Sequence, residues 1–458
     1  MILIQYAMFK KIEIWILYLT ILFSILFAIV FGILVRQELV GSIKAGWVSK
    51  TALTLAEIPF NLKRILIDED VEDRFSPLAG FNGNPNSYES YILLSRYDGD
   101  LKEGLVELID LTNFNILHTW NPDIDEFNSL VDQVDEFKYL QRDSSNYRMT
   151  LTHPKLTSDG GLLFANFSPL YKIDLCSNLI FQISKDKFHH SIETDIDGNI
   201  FVPSHLYPQS LPIKKVGRKD INDGGFLDDA IVKLSPTGDI LFEKSVSQIF
   251  IDNGLEYLLF SVGDKNFDSD PIHLNDIQPV NFDGNFWKKG DVFLSLRHQS
   301  MILLYRPATN EIIWKSTGPF FHQHDVNILD DHRISIFNNN SKDFVKKDMV
   351  DGYNEVIIYD FKKDMYSSYL ETAFIENDVR TITQGRGKIL PNGDMFVEET
   401  NYARTLYFNA DGSLRWSYVN RSTKKGKVFR SAWSRILYTP EDIHFVKNLM
   451  KSKGVCNE

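Results

Sequence analysis

The sequence is poor in cysteine, in net positive charge and in low-complexity tracts. Only Cys176 and Cys456 occur in 458 residues. That excludes a cysteine-rich zinc module and a densely stapled secreted scaffold. Whether the two cysteines pair cannot be read from sequence, so they do not fix the compartment. Lys and Arg number 49 against 61 Asp and Glu, giving a formal charge of −12 and a pI of about 5.5. A general nucleic-acid binder would carry a basic face, so that class is excluded, although a local basic pocket remains compatible with an acidic protein. What the chain does have is 43% hydrophobic and 13% aromatic residues, the composition of a well-packed globular body.

One long apolar run stands apart. From Ile14 to Val35 no residue carries a formal charge, and most are Ile, Leu, Phe or Val. A bilayer core of ~30 Å takes ~20 such residues as a helix. The run exceeds the ~7–15 residues of a signal-peptide core, and Val35-Arg36-Gln37-Glu38 offers no small-residue cleavage site. Residues 1–36 therefore read as a retained membrane anchor, with a cleaved signal and a buried core helix as the alternatives. Lys10 and Lys11 precede the span and Arg36, Lys44 and Lys50 follow it, so charge asymmetry does not decide orientation. The expectation is a main domain outside the membrane, because anchors of this kind commonly tether exported domains. Residues 37–85 read as a connection. Thr51–Arg64 looks partly helical, with Pro59 interrupting the pattern. Residues 436–458 read as a tail with a weak helical pattern from Pro440.

Between these flanks, residues 86–435 repeat a unit of strand, polar turn and strand. Six instances occur: Leu108–Trp120, Lys172–Ile183, Val232–Lys244, Leu304–Lys315, Ile358–Ser368 and Tyr407–Ser417. Thr237-Gly238-Asp239 and Ala410-Asp411-Gly412 carry hairpin-turn chemistry. A second class of strand pair lies between them, as in Asp197–Val202 and Gly387–Glu398. Two hairpins per repeat make the four-stranded blade of a β-propeller. The fold expected is all-β, a six-bladed β-propeller preceded by a single N-terminal transmembrane helix. Spread over this length, the blades need long loops, for which Pro203–Gly225 and Lys265–Gly290 are the candidates. A pair of β-sandwiches is the competing architecture.

In a propeller the innermost strand of each blade starts near one mouth of the central channel. His190 precedes Gly198 by eight residues, His324 precedes His332 by eight, and Gly385 precedes Gly393 by eight. The three positions are thus equivalent, and Gly385 leaves room for a ligand. His273 and Asn275 open another blade, and Arg297 lies on the strand that follows. His189, His322 and His298 read as neighbours. Arg386 sits one residue past the equivalent place, so alternation should turn it to the other face. A mouth holding imidazoles, an amide and a guanidinium suits two chemistries. Histidines with an acid could bind a transition metal. Alternatively, an imidazole nitrogen attacks the central atom of an anionic group while cations and N–H donors hold its oxygens. An inward Arg297 disfavours the metal, and bidentate oxyanion contact suits Arg, so group transfer is preferred and no metal is expected.

The residues then resemble a known family. The carriers are His273-x-Asn275, Gln323-His324-Asp325, His189-His190 before the Gly198-Asn199 turn, Leu390–Glu398 and Trp416-Ser-Tyr418. Together, over roughly residues 85–420, they resemble the arylsulfotransferases. That resemblance implies a periplasmic, PAPS-independent enzyme with a six-bladed propeller and no cofactor. Such an enzyme moves a sulfuryl group from an aryl sulfate to a phenol through a sulfohistidine. It implies that His324 is the nucleophile, with His190, His273 and Arg297 as further catalytic groups and Asn275, Asp325 and His189 binding substrate. The partners implied are a small aryl sulfate, a phenol and the bilayer, but no nucleic acid; a homodimer is left open. The chain departs from the family in its membrane anchor, in the little room left for an N-terminal β-domain, and in Asp331-His332 where the family's turn has Asn-Gly. A metal-dependent hydrolase or lyase at the same axis, and a non-catalytic propeller binding an extracytoplasmic ligand, remain the rival readings.

Overall fold

The computed structural model of the chain describes residues 13–39, 45–66, 69–132, 134, 137, 139–185, 187–216, 225–261, 268–345, 347–452, 454 and 456. Lys10, Lys11 and Lys44 of the charge asymmetry lie outside the described residues, as do 217–224 and 262–267 of the two long loops. The chain divides into two units, residues 1–68 and 69–458.

The first unit is helical. Ile14–Leu39 is one helix whose apolar side chains are largely exposed, and its stretch Ile14–Glu38 is long and apolar enough to cross a membrane. A second helix, Trp47–Leu66, runs through Pro59 without a break. The interruption expected at Pro59 does not occur.

The second unit is a ring of six antiparallel sheets. Blade two is Lys155–Leu156, Leu162–Phe164, Leu170–Ile173 and Leu179–Ile183. Blade three is Lys187–Phe188 with Glu193–Thr194, then Ile200–His205, Asp229–Leu234 and Ile240–Ser245. Blade four is Leu274–Pro279, Val292–Leu296, Met301–Arg306 and Glu311–Thr317. Blade five is His324–Ile328, Arg333–Asn338, Glu355–Asp360 and Met365–Tyr369. Blade six is Arg386–Ile389, Met395–Glu399, Arg404–Phe408 and Leu414–Val419, with Gly80–Gly83 added at its outer edge. Blade one closes the ring. Its outer strands Tyr91–Asp98, Glu103–Asp110 and Asn115–Trp120 come from the start of the unit, and its inner strand Arg435–Leu437 from the end. The ring therefore takes in Gly80–Gly83 and all of Arg435–Leu437, which lie partly or wholly outside the 86–435 boundary drawn from the sequence.

Each hairpin turn is dictated locally. In Thr237-Gly238-Asp239 the glycine takes φ 92°, a region open to Gly at little cost. The middle strands are apolar on both faces because both faces pack against neighbouring blades. Val292–Leu296 is buried at every position, and Trp120, Trp287, Trp416 and Trp433 are fully enclosed. Burying one such aliphatic side chain stabilises by roughly 1.5–3 kcal/mol.

The inner strands are also tied by polar clamps from blade to blade. Ser191 Oγ accepts the Ile277 N–H, Asp276 Oδ2 the Val326 N–H, and Asp325 Oδ2 the Gly387 N–H. Glu398 accepts the N–H groups of Trp433 and Ser434. The C-terminus is held by a disulfide between Cys176 and Cys456, with Cα atoms 5.3 Å apart. The pairing left open by the sequence is thus made. The tail forms one helix, Pro440–Ser452.

Candidate active site

The inner strands bring His190, His273 and His324 together. The rings of His190 and His273 lie 5.0 Å apart, and those of His190 and His324 6.2 Å. Local backbone geometry aims them. His190, His273 and Gln384 have φ of 58°, 54° and 55°, left-handed values that cost a non-glycine residue of order 1–3 kcal/mol. In blades four and five the ladder slips by one residue, so that Asn275 and Asp325 bulge between Leu274 and Asp276, and between His324 and Val326. A bulge re-aims the side chains beside it.

His324 is 1% exposed, and its proton has one place to sit. Its Nδ1 lies 2.7 Å from Asn339 Oδ1 and 3.1 Å from the His322 carbonyl, both acceptors. The Asn339 amide is oriented by its nitrogen, which donates to the carbonyls of Thr381 and Gln384. The proton therefore belongs on Nδ1, and the lone pair on Nε2. That Nε2 accepts a 3.3 Å contact from the Gln384 N–H. Burial, and then the Arg297 guanidinium, hold the His324 pKa well below its ordinary value. Burial and the neighbouring His189 and His273 do the same to His190.

Arg297 is 8% exposed. Its Nη1 meets His298 Nε2 at 2.6 Å, its Nε has no partner, and no carboxylate among the described residues pairs with it. His298 Nδ1 donates to the Asp270 carbonyl at 2.5 Å, leaving Nε2 to accept from the arginine. His273 Nδ1 is 2.6 Å from Asp270 Oδ2. A buried guanidinium with no carboxylate in ion-pair distance, beside an unprotonated imidazole nitrogen, is a receptor for an anion presenting an electrophilic centre.

Other residues singled out in the sequence stand differently. Asn275 is fully buried and its amide nitrogen donates to the Gln323 carbonyl at 2.7 Å, so it braces the peptide before His324. Asp325 is paired with Arg386 at 3.0 Å and clamps Gly387. Arg386 leaves the imidazole mouth, as alternation requires, and packs over Trp433. His189 sits behind His190, with the two Nδ1 atoms 2.7 Å apart. His322 is pushed down to about 4 by burial and by Arg297. Asn339, Asp270 and the Gln384 peptide were not anticipated. Neither was His153, a buried ring tilted at 53° to Trp433 with centroids 3.8 Å apart. It precedes the matching Gly160 by seven residues rather than eight, one place out of the spacing that found the others.

Comparison with known proteins fits this geometry. The model of the arylsulfotransferase (ASST) family matches residues 154–421, more than half of the chain. The chain belongs to the arylsulfotransferase family. Membership implies a sulfotransferase enzyme acting on small molecules. No curated protein matches the chain. Solved structures share it only distantly. A protein of unknown function from Bacteroides caccae is 10% identical, covering 76% of this chain and 98% of its own at a TM-score of 0.43. TolB from Acinetobacter baumannii is 10% identical over 86% and 73%, with a TM-score of 0.39. A streptogramin B lyase is 9% identical over 78% and 96%, with a TM-score of 0.36.

Proposed function

We propose that this arylsulfotransferase moves a sulfuryl group from an aryl sulfate to a phenol, without PAPS, through a covalent intermediate on His324. The observation that carries the reading is the single tautomer of His324, with its proton on Nδ1 and its Nε2 lone pair engaged only by a long 3.3 Å contact from the Gln384 N–H. In the first half-reaction Nε2 attacks sulfur. The N–S bond forms as the S–O(aryl) bond breaks, and the electron pair leaves on the phenolate, which then takes a proton. The sulfohistidine carries positive charge on its ring, and Asn339 Oδ1 faces the Nδ1–H that bears it. In the second half a deprotonated phenolic acceptor attacks sulfur, the N–S bond breaks, and its electron pair returns to Nε2. Arg297, His190 and His273 hold the three sulfuryl oxygens, and oxyanion contacts of this kind strengthen as charge redistributes in the transition state. His189, Asn275 and Asp325 support that shell from behind.

The helix at residues 14–38 anchors the chain, with the propeller on the extracytoplasmic side. The Cys176–Cys456 bridge supports that side, because disulfides persist in oxidising compartments. The direct test is incubation with p-nitrophenyl sulfate, an alkaline quench, and mass spectrometry of the peptide containing His324. A sulfuryl mass gain that disappears on adding phenol is expected. Turnover without any gain on that peptide would remove His324 as the nucleophile.

A further inference from the structure

Behind His190, in blade three, lies a second cluster of ligating atoms. It consists of His189, His205 and Asp229. His205 and Asp229 sit on neighbouring strands, and His189 just past the end of a third. His205 pairs with Asp229 across one ladder and with Lys187 across the other, and the His189 N–H donates to the Pro203 carbonyl. His205 and Asp229 belong to the sheet, and His189 follows directly on the strand Lys187–Phe188, which fixes the placement.

Two distances define the site. His189 Nε2 and His205 Nε2 each lie 3.3 Å from the same oxygen, Asp229 Oδ1. Charge-assisted hydrogen bonds are shorter, ~2.7–2.9 Å. Neither His189 Nε2 nor Asp229 Oδ1 makes a hydrogen bond, although both residues are buried. A separation of ~3.3 Å is instead the edge of a tetrahedron whose centre is ~2.0–2.1 Å from each corner, the length of zinc bonds to imidazole and carboxylate. The two rings stack with centroids 4.1 Å apart at 30°, which turns both Nε2 atoms the same way. The other Asp229 oxygen takes the Leu274 N–H at 3.1 Å. The buried carboxylate faces one N–H and two imidazoles, and a divalent ion shared with those rings would balance its charge.

We propose that His189, His205 and Asp229 bind one divalent transition metal of the zinc type, with the fourth position open to water. Two imidazoles and one carboxylate suit such an ion better than calcium or magnesium. The metal ties blade three to blade four through the Asp229–Leu274 contact. It also sets a proton: with Nε2 ligated, the His189 proton sits on Nδ1 and reaches His190 Nδ1, 2.7 Å away. His190 then carries its own proton on Nε2. Metal occupancy here can be read independently of the sulfuryl reaction.

The test uses the full chain purified in detergent, stripped with a chelator, reloaded with zinc or cobalt, and freed of excess ion. Elemental analysis should give one zinc per chain, and the cobalt form the visible bands of a tetrahedral N/O site. His205→Gln and Asp229→Asn should each lower bound metal at least tenfold. His298→Gln, in the nearby Asp270–His273–His298 cluster, should keep it. Less than a tenth of an equivalent on the unmodified chain overturns the proposal, as does metal retained by folded His205→Gln and Asp229→Asn. If those two variants do not fold, the His298→Gln chain decides: metal kept on two imidazoles supports the site, and metal lost overturns it.

Discussion

The two ends of the inner strands handle charge in opposite ways. At their starts lie the three imidazoles and Arg297, and no carboxylate among the described residues pairs with that arginine. Toward their far ends, a cavity of about 660 Å³ is lined by Lys155, Glu193, Gln278, Asn327, Lys388 and Arg435. There two of these three cations meet a carboxylate. Arg435 meets Glu193 at 2.8 Å, Lys155 meets it at 3.6 Å, and Lys388 donates to Asn327 at 2.7 Å. Arg386, between the two, is paired with Asp325. Arg435 and Lys155 thus share Glu193 at one end, while at the other Arg297 has a histidine and, among the described residues, no carboxylate within ion-pair distance. A guanidinium so placed beside imidazoles marks where an anion would react.

The sharpest way to break that contrast is to remove the nucleophile. His324→Ala should lower aryl-sulfate turnover at least about 10⁴-fold, as loss of a covalent nucleophile does elsewhere. p-Nitrophenol release measures it. Turnover within tenfold of the unmodified chain would place the chemistry at another residue, and the end holding Glu193 would become the next candidate.

Two of the buried arginines, Arg386 and Arg297, separate stability from catalysis. Arg386→Met strips Asp325 of its partner, and breaking a buried ion pair costs about 3–5 kcal/mol. Denaturant unfolding should show that loss. Arg297→Met removes a buried cation that makes no ion pair among the described residues and feels Asp343, Asp348 and Asp270 only at longer range, so its stability should hold or rise. Its turnover should nevertheless fall about 10²–10³-fold, the cost of one oxyanion contact. Equal destabilisation by both substitutions would mean that Arg297 has a structural partner and would dissolve the comparison.

Much of the ring was readable because each blade repeats one turn chemistry, and the turn fixes the register of the inner strand behind it. Counting back from Gly198, His332 and Gly393 places His190, His324 and Gly385 together without any knowledge of their contacts. The same count fails at His153, where blade two is one residue shorter between strand start and turn. It also fails for Asn339, which reaches His324 only because a bulge turns the strand at Asp325. His205 and Asp229 meet His189 across ladders, a relation set by pairing partners rather than by spacing along the chain. The closing strand Arg435–Leu437 has three residues, too few to show an alternation. Asn275 and Asp325 carry family-like motifs, yet their side chains are spent on the peptides that hold the site together.

The smallest effect concerns protons. His153, His190 and His324 are held well below the usual imidazole range by burial, and His189 and His322 lie at about 4. In the unfolded chain each would take a proton near pH 6.5. The unfolded state therefore binds more protons than the native state below that pH, and stability falls as pH drops from about 6.5 toward 4. Each such histidine contributes a slope of about 1.4 kcal/mol per pH unit. Asp276 acts in the opposite sense. Burial and the nearby Asp325 raise it to about 7, so the native state holds one proton there that the unfolded chain has released above pH 4, offsetting one histidine. Thermal unfolding measured from pH 7.5 to 4.5 should show the net loss. Over the same range kcat/KM should hold further into acid than a free imidazole would allow, because Arg297 and burial keep His324 neutral. In Arg297→Met that acid limb should move up in pH. An acid limb that stays put in this variant would separate the guanidinium from the His324 ring and leave Arg297 without a catalytic partner.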